Sequence, residues 1–210
     1  NRGWSTTFAN TLSYNKNIGN HILDAVLGVS WDRNRYDAEA QQYRGFPDDD
    51  VLVDLNSASF FDSASSESLQ QGLNSIFGRI NYNYMEKYLL EMNARYDGSS
   101  RFPKDHRFGF FPSVSAGWVI TEESFMEPLQ NPISHLKLRG SWGEVGNQVT
   151  GSDYPFIPGM SPYNAQWIDP FTNIRYLTLG APTLVSNNFT WETVQTVNLG
   201  VDLGLFKGRF

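Results

Sequence analysis

Apolar and polar side chains alternate along most of this chain, and the pattern is clearest between residues 82 and 97. There Tyr88, Leu90, Met92, Ala94 and Tyr96 alternate with Leu89, Glu91, Asn93, Arg95 and Asp97. Successive strand side chains point to opposite faces, so the stretch predicts a strand with one apolar, aromatic-ended face and one charged face. Just before it, residues 72–84 set Ile76, Ile80, Tyr82 and Tyr84 against Ser75, Arg79, Asn81 and Asn83, and Met85-Glu-Lys87 predicts a tight turn between the two.

The same alternation predicts five further strands. Residues 3–14 set Trp4, Thr6, Phe8, Leu12 and Tyr14 against Ser5, Thr7, Ala9, Thr11 and Ser13, and residues 21–32 set Leu23, Ala25, Leu27, Val29 and Trp31 against Asp24, Ser30 and Asp32. Residues 110–120 carry Val114, Ala116, Trp118 and Ile120, with Pro112 predicting a bulge or frayed pairing near the start. Residues 135–145 carry Leu136, Leu138 and Trp142; residues 191–205 carry Val197, Leu199, Val201 and Leu203. Thr121-Glu-Glu-Ser-Phe-Met-Glu-Pro128 predicts one or two helical turns with Thr121 as N-cap and Pro128 at the close.

The connections then run short at 15–20, long at 33–71, short at 85–87, medium at 98–107, short at 121–134 and very long at 146–190, the last with half of the prolines. Alternately short and long connections are the asymmetry of a transmembrane β-barrel. The aromatics sort to match: Trp4, Trp31, Tyr96, Phe110, Trp142 and Trp191 fall at long-loop ends, and Tyr14, Tyr84, Tyr88, Trp118 and Phe206 at short-turn ends. Ten residues part Trp4 from Tyr14; at roughly 3.3 Å per residue and a tilt near 40° they span about 25 Å, the height of the apolar band between two aromatic girdles. The predicted fold is therefore all-β, an antiparallel up-and-down meander of about seven strands belonging to a larger barrel, with residues 1–210 as one partial barrel domain.

Composition supports a sheet wetted on one side only. Aromatics are 15% and charged residues 18% of the 210 residues, against about 25% charged in soluble domains, yet mean hydropathy is −0.40 because polar residues fill alternate positions. No run approaches the 18 apolar residues of a membrane helix, and no signal peptide opens the chain, so an internal piece of a longer protein is expected. The net charge of −6 disfavours nucleic acid, and the absence of cysteine excludes disulfides and thiolate metal sites.

Several segments resemble signatures of the SusC/RagA-like TonB-dependent transporters. They are Tyr88-Leu-Leu-Glu-Met-Asn-Ala-Arg-Tyr-Asp-Gly-Ser-Ser-Arg-Phe102, Phe110-Phe-Pro-Ser-Val-Ser-Ala-Gly-Trp118, Glu123-Ser-Phe125, Leu136-Lys-Leu-Arg-Gly-Ser-Trp-Gly-Glu-Val-Gly-Asn147, and Trp191-Glu-Thr with Asn198-Leu-Gly-Val-Asp202. The resemblance covers about residues 75–205. It implies a 22-stranded outer-membrane barrel with an internal plug, importing oligosaccharides or peptides. It also implies energy from the TonB–ExbB–ExbD complex and a SusD-like surface lipoprotein as partner. The plug and the TonB box are not in this sequence, and seven strands cannot close such a barrel.

Candidate chemistry is sparse, and no catalytic residue or cofactor is expected. Gly140-Ser-Trp-Gly-Glu-Val-Gly146 lacks the spacing and helix of a phosphate-cradling loop. His21, His106 and His135 lie far apart, and Asp48, Asp49, Asp50 and Asp54 offer oxygen ligands for Ca²⁺ without EF-hand spacing. Arg79, Glu91, Arg95, Asp97, Lys137 and Arg139 read as a solvated lumen wall or as salt bridges to a plug. Tyr154, Tyr163, Trp167 and Tyr176, set among Pro, Gly and Asn in the last long connection, are the substrate-binding candidates, with Trp167 and Tyr163 foremost. Phe46 and Phe60 are candidates for the partner side. Two competing readings are a secreted β-sandwich, as a carbohydrate-binding module or glycosidase domain, and an adhesin or autotransporter barrel.

Overall fold

A computed structural model describes residues 1–47, 54–129, 132–149, 151 and 153–206. Asp48, Asp49 and Asp50, three of the four calcium candidates, and residues 207–210 lie outside the described residues. Seven strands form one antiparallel sheet: β1 (Arg2–Ile18), β2 (His21–Arg44), β3 (Phe60–Tyr84), β4 (Tyr88–Ser99), β5 (Phe108–Val119), β6 (Ile133–Asn147) and β9 (Glu192–Leu205). A separate two-stranded hairpin, β7 (Pro162–Ile168) and β8 (Arg175–Leu179), fills part of the connection from β6 to β9. Every described pairing is antiparallel, in sequence order.

The register carries the alternation across all seven strands. Tyr14, Ala25, Ile80, Met92, Val114, Trp142 and Val197 form one cross-strand row, and Lys16, Leu23, Tyr82, Leu90, Ala116, Gly140 and Leu199 form the next row on that face. Between them, on the opposite face, lies the row Asn15, Asp24, Asn81, Glu91, Ser115, Ser141, Asn198. Among the described residues nothing covers the apolar face: Leu12 is 72%, Val197 68% and Leu199 87% exposed. Among the described residues the buried apolar side chains are only Phe102, Phe111, Val119 and Met126. A secreted sandwich needs a second large sheet against this face, and the only other sheet among the described residues is the short β7–β8 hairpin.

The aromatic rows are staggered as tilted strands require. Tyr14, at the short-turn end of β1, shares a row with Trp142, at the long-loop end of β6. Five strand spacings of about 4.8 Å climb about 15 Å at a 40° tilt, more than half of the expected apolar band. On β3, the Trp31 row falls at Asn74 and the Trp142 row at Ile80, a shift of 80 − 74 = 6 residues between β2 and β6.

Several expectations are corrected. The connection at 33–71 is mostly strand, since β2 runs on to Arg44 and β3 begins at Phe60, forming an arm beyond β4 that β1 borders as far as Asp37 and that is two-stranded from Ala38 on. The turn at 15–20 shrinks to Gly19 and Asn20, with Gly19 at φ 57°, a conformation that glycine adopts without strain. Of the two effects expected at Pro112, the bulge is absent against β4, where it faces Ala94, but the frayed pairing is found on the other edge, where β5 pairs with β6 only from the next residue, Ser113. Residues 120–122 and 124–129 are 3₁₀ turns. Thr121 lies inside the first rather than capping it, buried, with its Oγ1 accepting from the Leu136 N–H (3.3 Å), and Pro128 lies inside the second. Gly140–Gly146 is β6 strand, which removes the phosphate-loop reading.

Candidate functional site

The candidate loop between β6 and β9 is held at its base before it reaches the hairpin. Its first limb leaves β6 at Asn147 and reaches the middle of β3, where β4 ends, passing β5 and β4 in the strand order. There the Arg101 guanidinium pairs with Asp153 (3.1 Å) and donates to the Gln148 carbonyl (3.3 Å). The Gln71 amide donates to the same Asp153 carboxylate, and the Tyr154 hydroxyl donates to the Gln70 carbonyl. The returning limb sits against the same β4–β5 connection: Thr190 Oγ1 donates to the His106 carbonyl (3.1 Å) and the Trp191 indole N–H to the Arg107 carbonyl (3.0 Å). Phe102, fully buried, has ring centroids 5.8 Å from Phe189 and 5.1 Å from Trp191.

Trp191 thereby departs from its expected place in the apolar girdle. It precedes β9 and turns toward Phe111 (5.2 Å between centroids), whose neighbours in alternation, Ser113 and Ser115, lie on the polar face. A single residue outside the regular strand breaks the parity that sequence alternation assumes.

The β7–β8 hairpin is built around Asp169. Its carboxylate accepts from the Phe171 N–H (2.9 Å), the Thr172 hydroxyl (2.8 Å) and the Tyr176 hydroxyl (2.9 Å), while its carbonyl accepts from the Asn173 N–H (2.8 Å). These donors, with the Phe171 N–H foremost, hold the carboxyl below its ordinary range. Asn173 sits at φ 57°, a left-handed position Asn tolerates because its short side chain bonds locally. Tyr176 stacks on Trp167 at 6.0 Å and 18° between planes. Tyr163 faces Thr178, two residues along from Tyr176 and on its side of β8, so the three aromatics share one face of the hairpin. Trp167 is 61% exposed. Tyr154 stands apart at the base, half-buried, with Phe156 edge-on at 6.3 Å.

At the tip of the β2–β3 arm, Phe60 packs over Gly45, and Tyr43 meets Phe61 edge-on at 5.4 Å. Phe60 is exposed and Phe46 half-exposed. On the polar face, Arg95 pairs with Asp97 (2.6 Å), donates to Ser75 (2.8 Å) and lies 5.7 Å from the Phe77 ring centroid. Arg139 pairs with Asp202 (3.3 Å). Part of the wall charge is therefore spent within the wall. No cluster of three metal-ligating side chains exists among the described residues. Sequence reasoning passed over Asp169, Asp153 and the roles of Arg101 and Phe102; the last two lie inside a quoted signature, but nothing in their order reveals which loop they hold.

The chain matches, over residues 1–210, the family described as TonB dependent receptor-like, beta-barrel. It is 34% identical to the TonB-dependent receptor SusC of Bacteroides thetaiotaomicron, over 99% of this chain and 21% of that protein. To the TonB-dependent receptor P26 of Formosa agariphila it is 33% identical, over 99% of the chain and 20% of the relative. The solved structure of the RagAB peptide transporter superposes with a TM-score of 0.84 at 25% identity, covering 99% of this chain and 22% of that one. The chain thus spans about a fifth of the length of these relatives, which are receptors and transporters rather than enzymes. Matched from its first residue to its last, it belongs to the TonB-dependent receptor-like β-barrel family.

Proposed function

We propose that the chain forms part of the barrel wall and outward loops of an outer-membrane importer of oligosaccharides or peptides. In this reading the complete protein is energised by the TonB–ExbB–ExbD complex and works with a SusD-like surface lipoprotein. The observation that carries it is the continuous seven-strand antiparallel sheet, with one apolar face that no described residue covers and one polar face opposite. Lipid covers the first and the lumen wets the second, as in barrels that cross membranes with strands. The RagAB structure is that of a peptide transporter, which supports the peptide arm; a stacked aromatic pair accepts either a sugar's C–H face or a peptide side chain.

The substrate surface is the aromatic face of the β7–β8 hairpin, with Trp167, Tyr163 and Tyr176 exposed for contact and Tyr154 at its base. Phe46 and Phe60, at the arm tip, belong to the partner side. Replacing Trp167 or Tyr163 with Ala in the complete transporter, at surface expression equal to the parent, is expected to weaken substrate binding at least tenfold. That corresponds to the roughly 2–4 kcal/mol lost when an aromatic anchor is truncated. Unchanged uptake by both variants contradicts this assignment.

A further inference from the structure

We propose that Arg101 and Phe102 form a two-pronged clasp that closes the base of the long loop and fixes the orientation of its aromatic hairpin. The two side chains are adjacent in sequence and grip opposite limbs of the loop. Arg101 takes the incoming limb through the Asp153 carboxylate and the Gln148 carbonyl. Phe102 takes the returning limb, with its fully buried ring between Phe189 and Trp191. Carbonyls four and five residues beyond Phe102, on His106 and Arg107, receive the Thr190 and Trp191 donors.

Between Asp153 and Phe189 the chain makes its only described secondary structure in the β7–β8 hairpin. Loops of this length without fixed ends sample many orientations, and pinning both ends near one point removes most of them. The incoming grip is suited to that task. The side chains of Arg101 and Asp153 are only 19% and 11% exposed, so the pair is shielded from solvent and salt. Removing one partner leaves the other charge half-buried and uncompensated. Gln71 and the Gln70 carbonyl add a second anchorage on the middle of β3, just past the end of β4, so the limb is tied both to the β4–β5 connection and to a neighbouring strand.

That the clasp positions a binding surface rests on the reading under Proposed function; that it holds the loop does not. The test uses the complete transporter in membranes, with Arg101→Ala, Asp153→Asn and the double variant, chosen because Phe102→Ala would expose a buried site and risk misfolding. Limited proteolysis reads nicking within residues 155–188, and uptake is measured alongside. Each single variant is expected to nick about tenfold faster than the parent, and the double well short of the two effects combined, since both remove the Arg101–Asp153 pair, while only the Gln148 and Gln71 bonds are separate. Uptake falls in step. Nicking that stays at the parent rate in both singles, or that adds up in the double, overturns the clasp. Should nicking rise while uptake stays unchanged, the clasp stands and the loop's role in substrate binding is what fails; Arg101→Lys, which keeps the charge without the fork, then gives intermediate nicking.

Discussion

Asp169 accepts four hydrogen bonds, and the orientation of Tyr176 depends on one of them. Because its folded-state carboxyl is held below the ordinary value of 3.8, its contribution is complete above the unfolded value and is lost as pH falls through the lowered one. The Trp167–Tyr176 stack is therefore expected to persist at neutral and mildly acidic pH and to loosen only in stronger acid. Asp169→Ala is expected to loosen it at every pH. The Trp167 fluorescence, taken as the difference between the parent and Trp167→Phe, reports both; a stack insensitive to Asp169→Ala contradicts this account of the turn. At the short-turn end Glu123 is similarly used, accepting from Tyr88 (2.7 Å), Trp118 (3.1 Å) and Lys87 (3.4 Å). At this scale the aromatics were legible because Tyr163, Trp167 and Tyr176 stand out in a polar, Pro-containing stretch. Asp169 and Asp153 were not, because an aspartate's role depends on donors that only the fold delivers.

Among the strands, legibility followed the apolar band. Wherever one face is apolar, alternation marks the strand, and β4, β5, β6 and β9 were found within a few residues. The arm at 33–44 and 60–71 is paired along its length, with one register shift between Gln42 and Tyr43, but it is rich in Asp, Ser and Gln on both faces. With neither face apolar, period-two patterning vanishes and the sequence reads as loop. The polar face also hides a packing device. Phe77 lies over Gly28 so closely that an added Cβ would sit 2.3 Å from the ring, and Phe111 covers Gly146 at 2.0 Å. Glycine leaves room there for an aromatic from the neighbouring strand. Gly28→Val is expected to cost about 1–3 kcal/mol through the forced shift of Phe77, measured as an earlier unfolding transition of the barrel in denaturant. A transition unmoved by the substitution contradicts the packing.

For the molecule as a whole, the meander was legible and its closure was not, since seven strands with two free edges say nothing of how many others complete the wall. The size and the partners are expectations drawn from the resemblance; the family is shown by the match over the full chain. What the chain itself supplies is a sheet whose apolar face no described residue covers, and the central claim is that lipid covers it. These 210 residues hold no cysteine, and single cysteines placed at each position from Thr196 to Leu203 along β9, in a complete membrane-embedded transporter with any cysteine elsewhere replaced by Ser, and then spin-labelled, give the most direct reading. The account predicts a period of two: labels at 197, 199, 201 and 203 accessible to membrane-dissolved oxygen, and labels at 196, 198, 200 and 202 accessible to a water-soluble nickel chelate. Uniform accessibility along the strand, or alternation of the opposite phase, would contradict it.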